Sequence, residues 1–217
     1  MDIQRETAKA ILKIGAVGFK PNNPITFKSG ILSPVYVDNR KFPFNPEQWR
    51  IIIDGFKKLI EEKNIEVDVY AGVEAAGIPH SAALGFYTNT PSVFVRKEVK
   101  DHGTVKRVEG GDVFGKKVVL IEDLVTTGGS SLSVVEALRA EEAKIDNCLV
   151  IVSYGFQEGV EAFKSSGVIL HALTTFSYIL DEAFIAGMFS QAEKLLIEDW
   201  FNDPHGWAGR HGFNNKL

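Results

Sequence analysis

Residues 118–131, VVLIEDLVTTGGSS, place four branched aliphatic residues directly before two carboxylates and a Thr/Gly/Ser turn. A continuous apolar run of this kind is typical of a strand that helices bury on both faces of a parallel sheet. Glu122 and Asp123 would then stand at the carboxyl end of that strand, the edge where open α/β sheets bind ligands. The turn behind them would present backbone N–H groups to an anion at the start of a helix. The pattern therefore predicts a site for a ligand that carries both hydroxyl groups and a phosphate.

The middle of the chain predicts the architecture around this strand. Strand-like and helix-like segments alternate there, at 67–72, 77–87, 91–95, 117–123, 130–142, 146–154, 160–166 and 168–173. Such alternation predicts an α/β fold with a mostly parallel, twisted sheet that is flanked by helices and joined by right-handed crossovers. We expect this sheet core to cover about 67–175.

The segments on either side of the core are expected to cover one end of the sheet as a small hood. The hood would consist of 1–66 and part of 176–217, in which 177–189 and 191–201 read as helical. A length of 217 residues fits one domain with a small appendage. We therefore expect a single domain over 1–217.

Local patterns predict the elements of the N-terminal segment. Residues 6–17 have the apolar spacing of an amphipathic helix, and two short extended pieces follow at 25–27 and 35–38, joined by a turn that contains glycine. Asn45 is the predicted N-cap of a second helix, with Pro46 at its first position and Gln48 in capping-box spacing.

Composition limits the class of protein. The 24 basic and 28 acidic residues give a net charge of −4, which argues against general binding of nucleic acid. The single cysteine, Cys148, excludes a disulfide framework and a multi-thiolate metal site, and it suits a reducing cytoplasm. No signal peptide is apparent, and no apolar run approaches the roughly 18–20 residues that span a bilayer. We expect a cytoplasmic protein that is neither secreted nor embedded in a membrane.

Three common phosphate or nucleophile motifs do not fit the chain. The segment GGDVFGKK at 110–117 approaches a Walker loop, but Lys117 replaces the hydroxyl residue and the segment leads into a strand. The dinucleotide fingerprint GxGxxG is absent, and Leu132 stands where a nucleophile elbow requires its second glycine. The pattern that the chain does contain is acid-acid-x-x-Thr-Thr-Gly-Gly-Ser, directly after an apolar strand.

That segment resembles the motif by which type I phosphoribosyltransferases bind 5-phosphoribosyl 1-diphosphate (PRPP). The resemblance implies that Glu122 and Asp123 accept hydrogen bonds from the ribose hydroxyls and stabilise positive charge on the ribose as pyrophosphate leaves. It also implies that the 5′-phosphate rests in a loop of residues 126–130, called here the phosphate loop. Taken separately, the acid pair could be an ordinary strand end, and the two serines could be an ordinary helix cap. The further PRPP-binding residues implied are Leu124, Val125, Thr126, Thr127, Gly128, Gly129 and Ser130.

A second segment, VRKEVKDHG at 95–103, is by itself a solvated charged loop. Its spelling resembles the RKxxKxHG loop of orotate phosphoribosyltransferases, and we call it the closing loop. The resemblance assigns pyrophosphate-binding roles to Arg96, Lys97, Lys100 and His102, with Lys100 and His102 also taking part in catalysis beside Glu122 and Asp123. In that family the loop closes over the site of the partner subunit, which implies a homodimer with shared sites.

Two further segments extend the resemblance. ITFKSGILSPVYVDNR at 25–40 is similar to the family signature FxxKSGxxSPxYxDxR. It implies that Lys28 contacts substrate or pyrophosphate, as both a PRPP-binding and an orotate-binding residue, and that Tyr36 and Val37 border the pocket for orotate, with Thr126 as a further contact. GVEAAGIP at 72–79 resembles the family's pyrophosphate loop, to which it assigns Gly72, Val73, Glu74, Ala75, Ala76 and Gly77.

The implied activity is transfer of the phosphoribosyl group from PRPP to orotate in pyrimidine synthesis. Mg²⁺ is expected as the cofactor, carried by the phosphates of PRPP rather than by a protein site. A phosphoribosyltransferase for another base, or a non-catalytic regulator of the same fold that senses PRPP, remain alternatives.

One departure from the family concerns the orotate carboxylate. Many family members bind this carboxylate with an arginine just after the strand that corresponds to 146–154. In this sequence no arginine lies between Arg139 and Arg210. Lys28, Thr126 with backbone donors, or a group of the C-terminal tail would have to replace it. Arg210 is one candidate, although the tail is expected to be either a packing element or a disordered end. His80 and His171 are expected to be core or sheet-face residues.

Overall fold

The computed structural model describes residues 2–27, 30–97 and 106–213. In chain order the elements are α1 (Ile3–Lys13), β1 (Val17–Phe19), β2 (Ile25–Thr26), β3 (Leu32–Ser33), β4 (Val35–Val37), a 3₁₀ helix (Asn39–Phe44), α2 (Pro46–Glu62), β5 (Val69–Val73), α3 (Gly77–Thr88), β6 (Ser92–Val95), β7 (Val108–Glu109), β8 (Lys117–Val125), α4 (Gly129–Ala140), β9 (Lys144–Ser153), α5 (Gln157–Ser166), β10 (Ile169–Thr175), α6 (Phe176–Ile185), α7 (Gln191–Asn202) and α8 (Trp207–Arg210).

Six of these strands form the central sheet, in the spatial order β10-β9-β8-β5-β6-β7. Every neighbouring pair is parallel except β6 and β7, which are antiparallel. The apolar run at 118–121 is almost completely buried in β8, as expected for a strand covered on both faces. The predicted α/β fold with a mostly parallel sheet is confirmed.

Each face of the sheet has its own apolar cluster. One cluster contains β-sheet residues together with α4 and α5, for example Leu138 and Phe163. The other joins the sheet to α1, α2, α6 and the C-terminal helices, and its largest members include Phe56, Trp200 and Trp207, all fully buried or nearly so. The C-terminal segment therefore packs into the same core as the N-terminal helices. Among the described residues, no helix is both long and apolar enough to cross a membrane.

Several local predictions for the N-terminal segment were wrong in detail. The first helix begins at Ile3, where the Asp2 side chain accepts from the Gln4 N–H, and it ends at Lys13 rather than at 17. Gly15 then has a left-handed φ of 61°, and Val17 already belongs to a strand. The extended pieces do not pair with each other, because β2 pairs with β3 whereas β4 pairs with β1.

The capping box predicted at α2 is also absent. Pro46 does occupy the first turn, but Asn45 makes no side-chain bond to the helix N-terminus. Instead, the Asn45 Nδ2 donates to the Lys41 carbonyl at 2.9 Å, and Gln48 is buried. The side chain therefore closes the preceding 3₁₀ helix rather than opening α2.

Candidate active site

Two carboxylates lie at the carboxyl end of β8, as the sequence predicted. Glu122 is only 4% exposed, whereas Asp123 is half-buried. The backbone N–H of Asp123 donates to Glu122 Oε1 at 3.0 Å, and the Ser131 hydroxyl donates to Glu122 Oε2 at 3.3 Å. Strand β8 and the first turn of α4 together fix the Glu122 carboxyl, while Asp123 keeps its side chain nearer to solvent.

The environment of the pair opposes two simultaneous negative charges. Burial raises the pKa of Glu122 well above its ordinary value, and the neighbouring Asp123 charge raises it further. Burial also raises the pKa of Asp123, against the hydrogen bond with Glu122 and the positive charges of Lys97 and Arg40, which lower it. A cationic or hydroxyl-bearing ligand at this edge would therefore relieve the pair. That property suits the transient positive charge of a reacting sugar.

The phosphate loop joins β8 to the N-terminus of α4. Gly128, with a left-handed φ of 85°, is the N-cap of α4 and has no side chain with which to cap the first amides. Those N–H groups remain available to an anion, and the helix dipole adds favourable potential. A Cβ on Gly159 would lie 2.7 Å from the Thr126 carbonyl, so α5 supports the loop from below. The structure thus places the predicted residues 126–130 in one turn at the N-terminus of α4, and their binding of phosphate stays a prediction.

The pyrophosphate loop follows β5 and lies against the end of β8. Added Cβ atoms on Gly72 and Gly77 would collide with Ser81 Oγ and with the Ile121 carbonyl oxygen, respectively. Only glycine permits this approach, as the sequence predicted. The loop also includes a cis peptide between Glu74 and Ala75. Residues 72–77 therefore form one edge of the same cleft as Glu122.

The ends of the closing loop are tied to this edge. Lys97 N–H donates to Glu74 Oε2 at 3.2 Å, and Arg96 Nε donates to Glu109 Oε1 at 3.0 Å. On the return side, Arg107 donates through Nε to the Arg96 carbonyl at 2.7 Å and through Nη1 to the Ser133 carbonyl at 2.9 Å. The two ends of the closing loop thus follow β6 and precede β7, and the second end is bonded to α4 through Arg107. Of its predicted residues, Lys97 lies close enough to lower the pKa of both acids of the pair, whereas the Arg96 side chain is bonded to Glu109.

Three of the predicted site residues, Lys28, Lys100 and His102, lie outside the described residues. Their predicted roles therefore stay predictions.

The 3₁₀ helix brings in two groups that reasoning from the sequence missed. Asn39 is fully buried, and its Nδ2 donates to the Asp123 carbonyl at 2.8 Å. Arg40, which donates through Nε to Asp38 Oδ1 at 2.6 Å, adds positive charge near Asp123. Ser131, the partner of Glu122, was missed as well. The only signal for the first two was their place in the segment DNR, at the end of the matched signature.

The predicted base-pocket residues Tyr36 and Val37 lie on β4. Gly18 faces Tyr36 in the register of β1 and β4, and a Cβ on Gly18 would collide with the Tyr36 ring. The Lys20 ammonium lies 5.7 Å from the centre of that ring. Tyr36 is thus held in one orientation by the β1–β4 ribbon, which forms part of the hood.

A cavity of about 390 Å³ opens beside the phosphate loop, and we call it the base cavity. Thr127 borders it on one side and Ile31 of the hood on another. Phe156, which follows β9, and Phe201 of α7 supply an aromatic wall, with ring centres 5.5 Å apart. A flat aromatic ligand fits such a lining.

Arg210 is not a substitute for the missing arginine, because its side chain is already paired. Arg210 is engaged by Asp203 and, at 3.1 Å, by Asp199 Oδ2. Trp207 is fully buried, so the tail packs, as expected. Arg210 thus serves the packing of the tail rather than the base cavity.

The two histidines outside the site behave as expected. His80 is fully buried and accepts from Trp49 Nε1 at 2.9 Å, and burial lowers its pKa to about 4. His171 is half-buried and contacts Asn147 Oδ1 at 2.9 Å across neighbouring strands. The prediction that both are core or sheet-face residues is confirmed.

Comparison with known proteins supports this arrangement of motifs. Residues 45–167 match the family model described as phosphoribosyl transferase domain. The chain is 37% identical over 208 residues to an orotate phosphoribosyltransferase of Listeria monocytogenes, covering 96% of this chain and 100% of the relative. It is 38% identical over 209 residues to an orotate phosphoribosyltransferase of Phocaeicola vulgatus, covering 96% and 99%.

Solved structures agree with the fold. The crystal structure of orotate phosphoribosyltransferase from Aeropyrum pernix is 30% identical with a TM-score of 0.73, and the match covers 84% of this chain and 99% of that one. The UMP synthase of Leishmania donovani shares the fold at 24% identity and a TM-score of 0.78, over 92% of this chain and 42% of that one. On the near full-length match to its relatives, the chain belongs to the orotate phosphoribosyltransferase family.

Proposed function

We propose that this chain transfers the 5-phosphoribosyl group from PRPP to orotate, giving orotidine 5′-monophosphate and pyrophosphate in the synthesis of UMP. The main support for the proposal is the acid pair, with Glu122 buried and Asp123 half-buried, a few residues before the open N-terminus of α4. A sugar with two hydroxyls and a 5′-phosphate matches that combination of acceptors and backbone donors. The family of the chain agrees with the same chemistry.

The chemistry breaks one bond at the ribose and forms another. The bond from ribose C1 to the pyrophosphate oxygen breaks with its electron pair leaving on pyrophosphate, and orotate N1 bonds to C1 after losing its proton. Positive charge grows on the ribose ring between these events. Glu122 and Asp123 favour that charge more than they favour the neutral ground state, because their own environment resists uncompensated negative charge.

Cations are proposed to draw pyrophosphate away from the ring. Arg96 and Lys97 stand at the base of the closing loop, and Lys100 and His102 are proposed to join them when the loop covers the site. Mg²⁺ bound to PRPP would neutralise part of the leaving charge. The fit to such a cation rests on the acid pair, whose raised pKa values fall when a positive charge comes near. Closure would also exclude water from the reactive sugar.

A homodimer is proposed as the working unit, with each closing loop serving the partner's site. An exposed apolar face on α2 and α3 supports self-association. Phe86 is 93% exposed and Tyr87 51%, and both line a shallow groove together with Trp49 and Ile53. Phe44, at the end of the 3₁₀ helix that precedes α2, is 91% exposed. A monomer rarely exposes a cluster of large apolar side chains in one place without a binding role.

Mixing variant subunits tests the shared site. Lys100→Ala and Asp123→Asn subunits should each be nearly inactive alone, and a mixture after subunit exchange should regain activity because hybrid dimers contain one intact site. Phe86→Lys should lower the mass measured by light scattering to that of a monomer. Absence of rescue in a mixture shown to have exchanged subunits would contradict the proposal of shared sites.

The proposed reaction is tested by mixing purified protein with Mg²⁺, PRPP and orotate and following the loss of orotate absorbance. We expect turnover that requires all three, with loss of rate on chelation of the metal. Turnover of a different base with none of orotate would contradict the substrate assignment. The proposed location is the cytoplasm, whose reducing conditions suit the single, fully buried Cys148.

A further inference from the structure

The base cavity needs a group that recognises a carboxylate. Orotate is a flat ring with one negatively charged substituent, and a carboxylate removed from water requires charge-assisted or multiple hydrogen bonds. Among the described residues that line the cavity, none is an arginine or a lysine. The side-chain donors there are Thr127, Gln157, Asn202 and His205.

Two of these four donors are already committed. Gln157 donates through Nε2 to Glu161 Oε1 at 2.8 Å, one turn along α5. Thr127 belongs to the phosphate loop. The side chains of Asn202 and His205 make no hydrogen bond to the rest of the described chain, and both are exposed at the mouth of the cavity.

The turn that carries these two side chains is held firmly. Trp200, two residues before Asn202, donates through Nε1 to the Leu32 carbonyl of the hood at 2.8 Å. After the turn, the Gly206 N–H donates to Asp203 Oδ1 at 2.9 Å, and the fully buried Trp207 fixes α8. The backbone that carries the two donors is therefore ordered before a ligand binds, and only the two side chains have to be fixed.

The charges around the cavity favour one orientation of the ligand. Glu158 borders the cavity at the start of α5 and would repel a carboxylate. His205 lies at the other border of the cavity. Arg210 of α8 is paired with Asp203 and Asp199 and does not line the cavity. The Glu158 side chain therefore opposes an anionic substituent beside it, whereas Asn202 and His205 at the end of α7 offer uncharged or cationic donors and no carboxylate.

We propose that Asn202 and His205 determine specificity for orotate by binding its carboxylate between α7 and α8. This inference rests on the proposed function, because it names what reads the substrate at the same site. The C-terminal segment is then part of the binding site in addition to its role in packing.

The test is steady-state kinetics of His205→Ala, Asn202→Ala and the double variant. Loss of one hydrogen bond to a charged group should raise KM for orotate about tenfold in each single variant, and further in the double variant. The KM for PRPP should stay within about twofold. Inhibition by uracil, which lacks the carboxylate, should be unchanged, whereas a role in packing alone would weaken both bases. His205→Lys, which places an ammonium donor at the same position, should retain part of the affinity that His205→Ala loses.

His211→Ala is the matched control, because this imidazole contacts Asp199 Oδ2 at 2.7 Å and does not line the cavity. It should leave the KM for orotate unchanged. An unchanged KM for orotate in the double variant would overturn the inference while the turnover of orotate by the wild type still stood. Absence of orotate turnover in the wild type would instead overturn the proposed function.

Discussion

Replacing Glu122 by Gln should stabilise the ligand-free protein while it removes activity. The wild-type carboxyl is 4% exposed, and burial together with the Asp123 charge raises its pKa well above the ordinary value. At a pH above the pKa that Glu122 has in the unfolded chain, the unfolded state therefore binds fewer protons than the native state. The free energy of unfolding then falls as the pH rises. Glutamine removes this titration. It can still accept from the Asp123 N–H, and its amide can donate to Ser131 Oγ.

The ordinary pKa of the group sets a limit on the gain. Keeping a carboxyl with an ordinary pKa of 4.5 protonated at pH 7 costs at most about 3.4 kcal/mol, at about 1.36 kcal/mol per pH unit. A gain of about 1–3 kcal/mol at pH 7 corresponds to a rise in Tm of roughly 3–10 °C for a chain of this length. At pH 4.5 the carboxyl of the unfolded chain is half protonated, and at lower pH both states of the wild type become protonated, so the difference between wild type and variant should be small there.

Thermal unfolding followed by circular dichroism between pH 4.5 and 8, without PRPP or metal, measures this difference. The gap in Tm should widen as the pH rises. Glu136→Gln is a suitable control, since Glu136 is exposed on α4, and it should show no such widening. A Glu122→Gln protein that melts at or below the wild-type temperature at every pH would refute the argument that this carboxyl is held at a cost to stability.

Two further substitutions test the geometry around the acid pair. Gly77→Ala should lower both Tm and activity, because the new methyl group meets the Ile121 carbonyl. The expected loss of stability is about 1–3 kcal/mol. Gly209→Ala, with open space around it, is the control for thermal melting. Asn39→Ala should lower kcat and cost about 1–3 kcal/mol, because it removes the bond to the Asp123 carbonyl; normal kcat in a folded variant would show that Asp123 does not need this support.

The sequence predicted best what depends on neighbouring residues. The run at 118–121 is buried because its own pattern requires two covered faces, and Glu122 follows it at the sheet edge for the same reason. Gly72 and Gly77 could also be predicted, because close approach of backbones excludes a Cβ.

Contacts between distant segments could not be predicted in this way. Asn39 and Asp123 are 84 residues apart, and Trp200 meets Leu32 across 168 residues. No local pattern encodes either contact, so the support of Asp123 and the wall of the base cavity were missed. Asn45 failed for a different reason, since two nearby backbone groups compete for its side chain and the Lys41 carbonyl is the one bonded.

The central claim is that the charge of the acid pair acts on the reacting sugar. Asp123→Asn keeps the size of the side chain and removes that charge, so kcat and the dissociation constant for PRPP should be measured together. We predict a fall in kcat on the order of 10²–10³, with the affinity for PRPP changed by less than about tenfold. Wild-type kcat in the Asp123→Asn protein would contradict the account.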